Sequence, residues 1–142
     1  MKKYAFLCLI VVLTFVSCET DSDEESNSFQ LPESISGCII NINVGEIGGS
    51  SVASGLTIRY TFNAPNEQVS GINPESQITY TAQSYTYVYS DNSGTITLNY
   101  GQGAYEEYFL QPTSESGGIY TSESFDGVNS ANSTGTYDFS CF

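Results

Sequence analysis

The 142-residue chain contains no histidine and no tryptophan, and only three of its residues are Lys or Arg. Each shortage removes a class of chemistry. Without imidazole there is no Ser-His-Asp or Cys-His catalytic unit, no histidine metal ligand and no proton shuttle titrating near neutrality. Set against 16 Asp and Glu, the three bases leave a formal charge of −13. Nucleic acid is held by Lys and Arg neutralising its phosphates, so this chain should repel it. The lack of tryptophan weakens the case for stacking on sugars. What the chain does have is 11 Tyr, 8 Phe and 13 Gly, in a length that supports one domain.

The first segment reads as a targeting signal. Met1-Lys2-Lys3 is a short basic start, and Tyr4 to Val16 is an apolar run of 13 residues interrupted only by Thr14. That is short of the roughly 20 residues a membrane span needs. The run ends at Phe15-Val16-Ser17-Cys18, and a small residue before a Cys at this place resembles the lipobox of bacterial lipoproteins. Phe15 stands where that family usually has Leu. The resemblance implies cleavage after residue 17 and lipidation of Cys18, with Cys8 leaving with the signal. Residues 19–25 then hold five acids in seven, followed by Ser26-Asn27-Ser28. Such a stretch cannot build a core and should stay solvated. It is similar to the acidic export signal of surface-exposed lipoproteins of Bacteroidota, although the usual Lys or Gln lead-in is absent. The expected organisation is signal peptide 1–17, acidic tether 18–33 and a single β domain 34–142. The mature chain would carry 16 acids against one base, Arg59, a formal charge of −15. Its only contact with membrane would be through the N-terminal lipid, since so acidic a domain is repelled by anionic lipid. The resemblance implies a place at the outer membrane, on the cell surface.

Within the domain, apolar residues alternate with period 2 between clusters of Gly, Asn, Asp and Ser, and none recur at helical spacing. Leu56, Ile58, Tyr60 and Phe62 share one strand face, and Thr57, Arg59, Thr61 and Asn63 the other. The same rule groups Cys38, Ile40, Ile42 and Val44; Ile96, Leu98 and Tyr100; and Tyr137, Phe139 and Cys141. Further strands fit residues 77–82, 85–89, 104–111 and 118–125. Asp91-Asn92-Ser93-Gly94 and Gly101-Gln102-Gly103 carry hairpin-turn chemistry, while residues 45–55, 64–74 and 126–133 read as longer polar links. The expected fold is all-β: an antiparallel meander of about seven or eight strands forming a small barrel, lipocalin-like in outline, or a sandwich. The Tyr- and Thr-rich segments 85–89, 94–100, 105–110 and 135–139 resemble β-meander domains of bacterial surface proteins, a likeness that carries no activity with it.

Cys38 and Cys141 remain for the domain, one on the first strand and one on the last, both on the expected core face. In an exported protein such a pair reads as a disulfide, and it would make the first and last strands neighbours. Two Cys without His are too few for a zinc site.

Candidate sites are sparse. Tyr85, Tyr87 and Tyr89 share one face of one strand, and two placements are open to them. If the strand from Ile78 runs on unbroken, Ile78, Tyr80 and Ala82 share a face with Thr86 and Val88, and the three tyrosines form a solvent ladder able to stack on a glycan or dock a protein. If the chain breaks near Gln83-Ser84, they turn inward. Glu106 and Glu107 are adjacent and must face opposite sides of a strand, so they cannot act as a catalytic pair. A glycosidase needs two carboxyls about 5 to 10 Å apart across a cleft, and no such pairing can be picked out. The oxygen-rich loop 126–132 lacks the acidic spacing of an EF-hand. Arg59 reads as a solvent-face residue, or as the one cation available to an anionic ligand. No catalytic residue, cofactor or metal is expected. The first expectation is a non-enzymatic, surface-anchored binding module for a glycan or a protein partner, using a tyrosine-rich face or mouth. The alternative is a structural or protective envelope lipoprotein. An exposed Tyr85/Tyr87/Tyr89 patch would favour the first, and burial of all three would favour the second or an internal pocket. Two convergent acids in a cleft would favour a hydrolase.

Overall fold

A computed structural model describes residues 29–142 apart from 65, 66 and 91, so the signal 1–17, Cys18 and the tether as far as residue 28 lie outside the described residues. Among the described residues the chain forms nine β-strands and no helix: β1 (Cys38–Ile47), β2 (Ser50–Thr61), β3 (Val69–Ile72), β4 (Thr79–Ala82), β5 (Ser84–Ser90), β6 (Ser93–Gly101), β7 (Ala104–Ser114), β8 (Gly117–Phe125) and β9 (Ser130–Cys141). They make one sheet in the order β4-β3-β2-β1-β9-β8-β7-β6-β5, with every pairing antiparallel.

Counting directions round this sheet explains its shape. Each antiparallel step reverses the chain, so β4 runs opposite to β1 after three steps, and β5 also runs opposite to β1 after five. The two edge strands are therefore parallel in direction and separated in sequence by Gln83 alone. They are two halves of one long strand: β4 pairs with β3, and β5 with β6. The Gln83 amide donates to the Asn99 carbonyl at 2.7 Å, carrying the β6 pairing up to the break. The sheet thus nearly closes into an up-and-down barrel of eight staves, which leaves almost no free edge.

The all-β class and the barrel are as the alternation predicts. Nine strands replace the expected seven or eight, because Val69–Ile72 forms β3 inside the segment read as a link. The other two predicted links shrink. β1 and β2 extend to a tight turn at Gly48-Gly49, where both φ are positive (57° and 78°), and β9 begins at Ser130. Positive φ is costly for any residue with a Cβ, which is why the turn falls on the glycine pair.

Inward residues fill the barrel: Ile40 and Ile42 from β1, Tyr60 from β2 with Phe62 just beyond it, Val69 from β3, Ile96 and Leu98 from β6, and Tyr108 and Leu110 from β7. One end is plugged. The segment leading into β1 folds across it, burying Leu31 and Ile35, and the Pro32 carbonyl accepts the Tyr87 hydroxyl at 2.8 Å. Gly94 leaves room for this plug, since a Cβ there would lie 2.8 Å from Leu31 Cδ1. At the same end Cys38 and Cys141 stand directly opposite in the β1–β9 register and form a disulfide, with Cα atoms 4.0 Å apart. Cys38 is buried as expected. Cys141 is exposed, contrary to the expectation of a core position, because it ends its strand at the barrel rim. The bond spans 103 residues of sequence, a loop length worth on the order of 4 to 5 kcal/mol in the chain-entropy account.

Candidate functional site

The break at Gln83 decides where the tyrosines go. Strand parity before it points Tyr80 and Ala82 inward; after it, the odd-numbered residues turn inward instead. Tyr85 is 5% exposed, and Tyr87 and Tyr89 are half-buried against the core. Tyr85 donates to the Asn63 carbonyl at 3.1 Å and Tyr87 to Pro32, so two of the three hydroxyls serve the plugged end of the fold. Burial pushes Tyr87 up to about 12, with Tyr89 adding to the effect. Of the two placements open to the sequence, the inward one is adopted. Outer-wall residues of this stave are Thr86 and Val88, not a tyrosine ladder.

Arg59 lies on the outer wall as expected. Its Nε donates to Asn41 Oδ1 at 3.0 Å, and Asn41 Nδ2 donates to Asp138 Oδ1 at 2.6 Å, a polar chain across β2, β1 and β9. Arg59 lines neither of the two cavities at the open end of the barrel.

The end opposite the plug is open. Tyr80 of β4, Tyr100 of β6, the start of β7 and the β8–β9 turn bound a cavity of about 410 Å³. A second space of about 160 Å³ lies deeper, between Val44, Leu56 and Ile58 on one side and Ser122, Ser124 and Ser133 on the other. The two share Glu106, Ser124 and Ala131. Glu106 therefore sits where mouth and interior meet.

Its position follows from the period-2 pattern of β7: Glu106, Tyr108 and Leu110 point inward, while Glu107 points out and accepts the Thr97 hydroxyl at 2.8 Å. Oε2 of Glu106 lies 3.0 Å from the Tyr60 hydroxyl and 3.1 Å from that of Tyr100. Tyr60 and Tyr108 hydroxyls are 3.3 Å apart. An ionised carboxylate only accepts, so Tyr60 and Tyr100 must donate to it, and Tyr108 must then donate to Tyr60. Three hydroxyl protons are thereby committed toward one carboxylate, Tyr100 directly and Tyr108 through Tyr60. Burial raises Tyr60 and Tyr108 well above the usual phenol range. For Tyr60 the neighbouring Tyr108 adds to this before Glu106 does, and for Tyr108 the Glu106 charge is the next contribution. Tyr100 is raised by burial and then by Glu106. All three stay protonated, as the donor roles require.

Gly71 of β3 lies under the Tyr60 ring, where a Cβ would come within 2.6 Å of Cε1, so the glycine holds open the space that lets Tyr60 reach Glu106. Around the lip, Tyr105 and Phe125 pair with ring centroids 6.2 Å apart. Asp126 is tied into its own turn: Oδ1 accepts the Val128 and Asn129 amides at 2.8 and 2.7 Å. Those bonds, the Asn129 amide first, hold its carboxyl below the usual range. It is a carboxylate held in place at the lip of the cavity that Glu106 also lines. Among the described residues no three Cys, Asp or Glu side chains gather as a metal would require.

The chain matches no protein-family model, no curated protein and no solved structure. The reading of the site rests on its own geometry.

Proposed function

We propose that this is a lipid-anchored, non-enzymatic binding module of a bacterial envelope, whose ligand enters the open mouth of the barrel. One observation carries the reading: the barrel is plugged at the end where the chain enters and open at the other, over a cavity of about 410 Å³ with aromatic walls. That volume falls within the range of small-molecule sites, roughly 300 to 1,000 Å³. The N-terminal segment reaches the barrel at its plugged end, so a tether from a lipidated Cys18 would leave the mouth facing away from the bilayer. Inward placement of Tyr85, Tyr87 and Tyr89 favours an internal pocket over an aromatic outer face, and the lip supplies the aromatic surface instead. A glycan end or a side chain of a protein partner would both be taken there.

Two experiments test this. Lipid labelling of cells carrying the wild-type protein or Cys18→Ala, with protease shaving of intact cells, should give label that depends on Cys18 and a protein open to protease. Unlabelled wild type would remove the anchor. Titrating the purified protein with small-molecule and glycan fractions of the host envelope, followed by its aromatic NMR resonances, should move Tyr80 and Tyr100 and leave Tyr85 still. Absence of any shift at the mouth across all fractions would remove the binding role.

A further inference from the structure

Resting on that reading of the mouth, we propose that its ligand is an organic cation, an ammonium or guanidinium group on an apolar body, with its charge held against Glu106. The carboxylate is half-buried within the barrel, where leaving a charge without a partner is costly. Two tyrosine donors act on Oε2, and among the described residues Oε1 accepts no hydrogen bond. The one base among those residues, Arg59, is on the outer wall, engaged with Asn41. The cluster therefore has its donors in place on Oε2 and leaves Oε1 free of protein donors among the described residues. A ligand N–H reaching Oε1 from the mouth would supply a counter-ion.

The walls suit the same chemistry. Tyr80 and Tyr100 border the path to Glu106, and aromatic faces attract cations while covering an apolar body. Asp126 adds a second fixed negative charge at the lip, so the field at the entrance draws cations and turns anions away. Ser124 stands on both cavities and donates its own hydroxyl proton to the Ala131 carbonyl at 3.2 Å. Its lone pairs remain for a second N–H of an ammonium. A bare metal ion finds too few ligands here, and a carboxylate or phosphate ligand finds no base.

The test compares three probes of matched shape by calorimetry and NMR: phenethylamine, its neutral isostere 2-phenylethanol, and the anion 3-phenylpropionate. The amine should bind at least about tenfold more tightly than the alcohol, a difference of about 1.4 kcal/mol, with no binding of the anion. Glu106→Gln keeps an acceptor for both tyrosines and should abolish the difference. The comparison of amine with alcohol uses the wild-type protein, so it stands even if the variant folds poorly. If the alcohol or a neutral saccharide binds at the mouth as well as the amine does, the cation inference fails and the binding module survives. If amines, alcohols, saccharides and anions all leave the mouth resonances unmoved, both fail.

Discussion

At the scale of single residues, the interior tyrosine hydroxyls divide by partner: some serve Glu106, others a backbone carbonyl or Ser133, and one has none among the described residues. Tyr60, Tyr100 and Tyr108 orient and stabilise a carboxylate. The Tyr137 hydroxyl is buried with no hydrogen-bond partner among the described residues. Burial pushes it up to about 12, with Tyr87 adding to the rise. An unsatisfied buried polar group costs about 1 to 3 kcal/mol, whereas removing one partner of a satisfied pair uncovers the other. Tyr137→Phe should therefore leave stability unchanged or raise it, and Tyr60→Phe should lower it by about 1 to 3 kcal/mol. Urea unfolding of the two variants checks the contrast. A Tyr137→Phe protein as damaged as Tyr60→Phe would contradict the assignment of roles. Glu106 itself was half legible. Parity separates it from Glu107 and puts it in phase with Tyr108 and Leu110, a carboxylate on an apolar face. What the sequence does not carry is that Tyr60 and Tyr100, from two other staves, converge on it.

Among the elements, the β4–β5 break has the largest consequence. The even-numbered residues Tyr80 and Ala82 face in before it and Tyr85, Tyr87 and Tyr89 after it, so one residue, Gln83, changes which face of the stave is core. Because side chains alternate with period 2, deleting Gln83 would put Tyr80, Ala82, Tyr85, Tyr87 and Tyr89 in one unbroken inward phase. The deletion protein should therefore keep a cooperative thermal transition and its NMR dispersion. A deletion protein without a cooperative transition would show that the break itself, where the stave changes partner from β3 to β6, is required. Alternation located β1, β2 and β4 through β9 from their in-phase residues. It missed β3, whose four residues offer Val69 as the single buried large side chain, beside Gly71, where Tyr60 leaves no room for more. Pairing with β2 and β4 makes that segment a strand; its own pattern does not.

For the molecule as a whole, closure is secured twice, by the β1–β9 ladder with its Cys38–Cys141 disulfide and by the shared β4–β5 stave. The expected neighbours, first strand and last, were legible from the cysteines; the near-closure at β4–β5 was not, because it depends on strand direction round the whole sheet. An interior so rich in phenols also sets an alkaline limit. Burial raises Tyr60, Tyr87, Tyr100, Tyr108 and Tyr137 above the value of about 10 expected when unfolded. A group raised on folding contributes fully below its unfolded pKa, and that contribution is lost as pH climbs toward the folded value. Stability should therefore hold up to about pH 10 and fall steeply from there toward about 12. Absorbance titration of tyrosinate should show the exposed phenols first and the interior ones together with unfolding. Simple titration of every tyrosine near pH 10, with the fold intact, would contradict the burial.

The central claim is an open, negatively charged mouth leading to Glu106. Its most direct test is the reaction of Ser124→Cys with methanethiosulfonate reagents of opposite charge, referred to the same reagents on an outer-wall thiol at Thr86→Cys. The account predicts that Ser124→Cys reacts readily, that the cationic reagent is favoured over the anionic one by about tenfold relative to the wall thiol, and that adding Glu106→Gln collapses the preference. An unreactive Ser124→Cys would mean a closed mouth, and equal rates for the two reagents would mean that no cation-selecting field exists there.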